Sequence, residues 1–186
     1  MTAPTITNAT IPATGTYSLD PSHVHVGFKV RHLMVSKVRG SFGDVAATLT
    51  VADEPTESAV EVTVGLATID TRDEQRDAHL RSPDFFDVER YPTMTFRSTD
   101  TRHLGGDRWQ VDGELSLHGV TAPITLIASF EGNVQDPWGN DRVGFTATGE
   151  VDREVFGLTW NAALETGGVV VGRQVQLEIE AEFVKA

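Results

Sequence analysis

The chain has 186 residues, with 15 Lys and Arg against 27 Asp and Glu, a formal net charge of −12 and no cysteine. That length suits one domain with its own core, and 39% hydrophobic with 23% charged residues is the composition of a folded chain. The charge speaks against general nucleic-acid binding and against electrostatic adsorption to an anionic membrane, while the missing thiol excludes disulfides, cysteine-ligated zinc and a thiol nucleophile.

Residues 1–14 are rich in Thr, Ala and Pro, with no basic segment and no apolar h-region. They are expected to form a flexible tail before a single domain at 15–186, in a cytoplasmic protein without an export signal. No uncharged apolar run approaches the roughly 20 residues that cross a bilayer, so no stable membrane insertion is expected. From Gly15 onward the dominant signal is period-2 alternation. Val24, Val26, Phe28 and Val30 alternate with His25, Gly27 and Lys29; Val175, Leu177, Ile179, Ala181 and Phe183 alternate with Gln and Glu. The same reading predicts strands near 23–32, 38–51, 58–69, 92–101, 108–118, 122–132, 142–152 and 170–184. Between them lie turn signals such as Gly105-Gly106, His118-Gly119 and Asp136-Pro137-Trp138-Gly139-Asn140. One stretch does not alternate: at 73–88, Asp73 can cap a short helix and Pro83 can open a second helical turn.

Eight strands joined mostly by short turns predict an all-β, antiparallel, eight-stranded up-and-down barrel of lipocalin-like form. A sandwich satisfies the alternation equally well. An eight-stranded barrel is either filled by side chains or holds one small ligand. Ala47, Gly113, Ala128, Ala147, Gly149 and Ala181 on the apolar faces leave volume, which Phe28, Phe96 and Trp109 could fill. The faces carrying the aromatic residues nominate Phe28, Val30, Phe42, Val62, Val64, Phe96, Trp109, Val111, Leu117, Leu126, Phe145, Val175 and Leu177 as a ligand lining. His32 joins them by parity as the titratable member.

Catalytic motifs are absent: there is no G-x-S-x-G, P-loop, G-x-G-x-x-G or H-E-x-x-H. His23 and His25 share a strand face, which suits a metal, but no third ligand is evident and no metal site is expected. Asp77 and His79, two apart on a helix, do not face each other, so they read as ties between that segment and a barrel end. Phe85-Phe86 either plugs that end or lines a cavity mouth. Arg173 has the parity of Val175 and Leu177, so strict alternation turns it inward. It then either pairs with a carboxylate at the rim or meets an anionic headgroup.

These residues also resemble a known family. Tyr17-Ser18-Leu19-Asp20-Pro21-Ser22-His23 opens the match, followed by Phe28 and the run from Arg31 to Phe42. Arg76-Asp77-Ala78-His79-Leu80, Asp84-Phe85-Phe86-Asp87, Tyr91-Pro92-Thr93-Met94-Thr95-Phe96 and Leu115-Ser116-Leu117-His118-Gly119-Val120-Thr121 continue it. Arg153, Phe156-Gly157, Trp160-Asn161 and Leu164-Glu165-Thr166-Gly167-Gly168 close it. In this order they resemble the YceI-like family of polyisoprenoid-binding, lipocalin-like proteins. Val24, Val155 and Arg173 depart from it, standing where the family is expected to carry Ser, Asp and an acidic residue. The resemblance implies a barrel with a long hydrophobic channel for an isoprenoid-type lipid such as a quinone tail or polyprenyl phosphate. It also implies no catalysis, and a homodimer as in many members. The expected function is binding, storage or transport of such a lipid, with no other cofactor. The alternatives are a ligand-free packed barrel serving in stress or interaction, and an enzyme acting on a bound lipid.

Overall fold

Alternation of apolar and polar residues becomes strand along most of the chain, because each strand can then bury one face and solvate the other. The computed structural model describes residues 6–7 and 11–186. In chain order the elements are β1 (Ile6–Thr7), β2 (Gly15–His32), β3 (Ser36–Phe42), β4 (Asp44–Val51), β5 (Ala59–Gly65), α1 (Glu74–Arg81), β6 (Thr93–Gly105), β7 (Arg108–Leu117), β8 (Val120–Gln135), β9 (Asp141–Asp152) and β10 (Val171–Lys185). Eight strands form a closed antiparallel ring: β8, β7, β6, β5, β4, β2, β10 and β9, which pairs back with β8. Closure decides between barrel and sandwich, and it leaves no ring strand with a bare edge.

β3 and β4 were one strand in the expectation and are two here, interrupted at Gly43. β3 pairs with Val26–His32 of β2, and β4 pairs with its first residues, Gly15–Ser18. Most of the expected tail at 1–14 lies outside the described residues, although Ile6 and Thr7 align with Val134 and Asn133 of β8. Among the described residues no helix is long and apolar enough to cross a membrane.

Bulges decide which parity faces inward. On β2, Ala181 pairs with Val24 but Phe183 pairs with Leu19, so the segment Asp20–His23 is thrown out and the inward set changes from odd to even positions. Both Leu19 and Val24 therefore reach the interior.

At one end of the barrel, α1 crosses the opening. Asp73 caps it, its Oδ1 accepting from the Arg76 N–H at 3.0 Å. The second helical turn expected at Pro83 is instead a run of hydrogen-bonded turns. α1 has little apolar surface and is moored by polar bonds. The buried Asp77 carboxylate accepts from the Thr71 N–H at 2.9 Å and the Thr71 hydroxyl at 2.5 Å. Arg81 donates to the carbonyls of Ala67 and Ile69. His79 turns to Asp84, at 2.8 Å, and stacks edge-on against Phe85 and Trp160. Asp77 and His79 thus hold the helix rather than face each other.

Candidate ligand chamber

The barrel interior is hollow in two places. One chamber, of about 210 Å³, lies under α1. Phe28, Phe42, Phe85 and Phe86 wall it, together with Val30, Val64, Leu117, Val175 and Leu177. The other, of about 180 Å³, lies toward the far end, and five alanines line it: Ala47, Ala59, Ala128, Ala147 and Ala181. Trp109, Val111, Phe145 and Phe183 complete that wall, with Ile11 and Pro12 from the segment before β2. The two chambers share Val26, Val62, Phe96, Leu126 and Ile179, which form a waist.

Glycines shape that waist. A Cβ on Gly113 would strike the Phe96 ring, and a Cβ on Gly149 would come 2.6 Å from Leu126 Cδ2. With hydrogen in their place, Phe96 and Leu126 lie down across the interior. Large inward side chains therefore narrow the channel at its middle, while the alanines keep the far half open.

Thirteen of the fourteen nominated residues line one chamber or both. His32 lines neither. It is half-buried near the tip of the β2–β3 hairpin, two rungs beyond the last inward valine of β2, Val30. Phe85 and Phe86 combine both readings made for them: they close the barrel under α1 and also line the chamber, Phe86 meeting Phe42 edge-on at 6.0 Å.

Arg173 corrects the parity argument. Val171 pairs with His32 and Val175 with Val30, so Gly172, Arg173 and Gln174 lie opposite Arg31 alone. The bulge throws Arg173 outward. Its guanidinium meets Asp152 at 2.6 Å and Glu154 at 3.4 Å, and it lines neither chamber. Asp152 is held below the usual carboxylate range by that bond, and Arg173 is raised in turn.

The charged side chain that does reach a chamber is Arg153, which is 4% exposed. Its Nε donates to Gly172 O at 2.8 Å, Nη1 to Leu158 O at 2.5 Å and Trp160 O at 3.0 Å, and Nη2 to Val171 O at 3.3 Å. Burial pushes its pKa down, against the pull of Glu154 and Asp152. The guanidinium fork ties the segment Leu158–Gly172 to the end of β9. Sequence reasoning noticed Arg153 only through the family resemblance, because an arginine after a strand reads as an exposed residue until its carbonyl partners are known.

A second arginine secures the far end. Arg142 Nη1 donates to Asp20 at 2.6 Å and Glu182 at 2.5 Å, and Nε to Asp136 at 2.7 Å. These bonds join the β2 bulge, β10 and the β8–β9 loop. They hold Asp20 and Asp136 well below the ordinary aspartate range and raise Arg142. Asp20, His23 and Glu182 bring ligand-type atoms within 4.8 Å of one another, but the Arg142 guanidinium is already the cation at that cluster.

The geometry agrees with what this chain is similar to. A model of the YceI-like domain matches residues 17–183. A UPF0312 protein of Staphylococcus aureus is 37% identical over 170 residues, covering 90% of this chain and 96% of that protein. A UPF0312 protein of Photorhabdus laumondii is 38% identical over 152 residues, covering 80% and 79%. Among solved structures, a Campylobacter jejuni YCEI protein superposes with TM-score 0.71 at 28% identity, covering 85% of this chain and 91% of that one. A polyisoprenoid binding domain from Saccharophagus degradans shares the fold, with TM-score 0.68 at 16% identity, covering 91% and 98%.

Proposed function

The chain belongs to the YceI-like family, and from that premise and its hollow interior we propose that it binds a long, flexible, apolar molecule of isoprenoid type and stores or carries it without chemical change. The observation that carries this reading is the pair of apolar chambers meeting at one waist, with Arg153 the single charged residue on their walls among the described residues. A packed barrel would have no such space. A tail threaded past Phe96 would lie against Phe, Trp, Val and Ala side chains. Burial of apolar surface contributes roughly 25 cal/mol per Å², so several hundred Å² outweighs the ordering of a flexible chain.

Among the described residues the walls bring together no acid–base pair, which favours a binding protein over an enzyme. On this reading the polar end of the cargo lies near α1. There Asp152 and Glu154 turn outward to Arg173, leaving Arg153 as a buried cation bonded only to neutral carbonyls. A quinone ring or phosphate suits that end better than the alanine-lined one. The decisive experiment is mass spectrometry of an organic extract of the natively expressed protein. The expected result is a prenyl lipid at near-stoichiometric amount. A folded protein that yields no lipid and takes up no added quinone or polyprenyl phosphate would overturn the proposal.

A further inference from the structure

The segment between Asp20 and Asp44 is the longest stretch of the chain without a carboxylate, and it carries Lys29, Arg31, Lys37 and Arg39. In a chain of net charge −12 this is a local inversion of sign. Pairing of β2 with β3 sets Arg31 opposite Lys37 and Lys29 opposite Arg39. Like charges facing each other across a ladder are unfavourable without an anion nearby. Lys29 has one, the Glu178 carboxylate of β10. On the charged rung nearer the tip, Arg31 bonds the Met34 carbonyl at 3.2 Å, and among the described residues neither it nor Lys37 has an ion-pair partner. The adjoining segment 157–170 adds one carboxylate, Glu165.

Above these rungs the hairpin turns through Leu33 and Met34, with φ of 50° and 64°, and Val35 N–H returns to His32 O at 3.2 Å. Such a turn, with both central residues left-handed, ordinarily takes Asn-Gly. Here it holds two large apolar side chains, 39% and 49% exposed, followed by Val35 at 84%. Val169 is exposed beside them, on the segment that accepts the Leu33 N–H through Val170 O. Local conformational preference and burial both argue against these residues, so their presence asks for a partner. The other well-exposed large apolar side chains among the described residues, Leu104, Trp138 and Val155, do not form a run of three as here; Trp138 sits between Asp136 and Asp141, and Val155 follows Glu154.

We infer that the β2–β3 hairpin is a docking tip for an anionic lipid bilayer, Leu33, Met34 and Val35 entering the interface while Arg31 and Lys37 meet lipid phosphates. An apolar tip above a cationic collar has the pattern of interfacial anchors. Charge beyond about 8 Å is screened at physiological salt, so the local collar governs contact despite the net negative charge. The tip stands at the end of the barrel reached by the Phe-walled chamber, beginning three residues past its lining residue Val30. Cargo collection from a membrane at that end rests on the proposed carrier function, whereas the docking itself does not.

The test is co-sedimentation of the full chain with phosphatidylcholine vesicles, with and without about 30% phosphatidylglycerol, at low and high salt. Binding is expected only with the anionic lipid and is lost at about 0.5 M salt. Arg31→Ala with Lys37→Ala lowers the partition coefficient by about tenfold. Leu33→Asn with Met34→Gly suits the turn better, so it raises Tm while lowering vesicle binding by a similar factor. Equal binding by this variant and the parent, or none by either, overturns the inference, as does a variant that dissociates a dimer while leaving vesicle binding unchanged. Lipid content of the purified protein, measured separately, tells failure of docking from failure of the carrier function.

Discussion

The two halves of the barrel solve closure differently. Under α1 the wall is phenylalanine, and the end is held by a buried arginine whose partners are all neutral carbonyls. At the other end the wall is alanine, and the clamp is an arginine among three carboxylates. The same strands supply both halves, since β9 contributes Phe145 and Ala147 to one chamber and Val151 to the other. Free volume in a barrel is thus set position by position along each strand, and strand number alone does not determine it.

The largest effect is expected where the halves meet. Phe96→Ala should lower unfolding free energy by about 3–5 kcal/mol, read by urea denaturation, and let bulkier tails pass between the chambers. If Phe96→Ala binds the same ligands with unchanged selectivity, the waist has no role in sizing the cargo. Filling the alanine chamber should cost much less. Ala128→Leu with Ala147→Leu adds volume where space exists, so a stability change under about 1.5 kcal/mol is expected. Long-tailed quinones should then bind poorly while short-tailed ones still bind. Loss of both classes would mean that the chambers do not act in series.

The smallest effect separates the two clamps by pH. Asp20 and Asp136 have depressed folded pKa values, so their stabilisation is complete above the unfolded aspartate pKa of about 3.9 and fades as pH falls below it. Arg142→Ala should therefore lower Tm at pH about 6 and flatten the fall of Tm between pH about 4 and about 2. The Arg153 clamp hydrogen-bonds carbonyls, which do not titrate, and acts on the Asp152 carboxylate through its charge alone, so it should add less to that acid slope than Arg142 does.

Alternation made the strands and most of the lining legible in the sequence, because a residue's face follows from parity wherever the ladder is regular. It misled where the ladder breaks. Arg173 falls in a three-residue bulge and turns outward, and His32 lies past the last inward rung. Leu19 reaches the interior from the opposite parity for the same reason. Bulges depend on pairing between distant strands, which no local pattern encodes. Arg153 was hidden because its partners are backbone carbonyls, and any sequence supplies those.

The central claim is that one apolar tail occupies both chambers end to end. Titration with a series of isoprenoid quinones of increasing tail length tests it in a Trp138→Phe, Trp160→Phe background, where quenching of Trp109 in the alanine-lined chamber is the signal. Little quenching is expected with the shortest tails, then rising affinity and quenching with each added unit until the chambers are full, and a plateau beyond. Affinity independent of tail length, or full quenching by the shortest quinone, would contradict it.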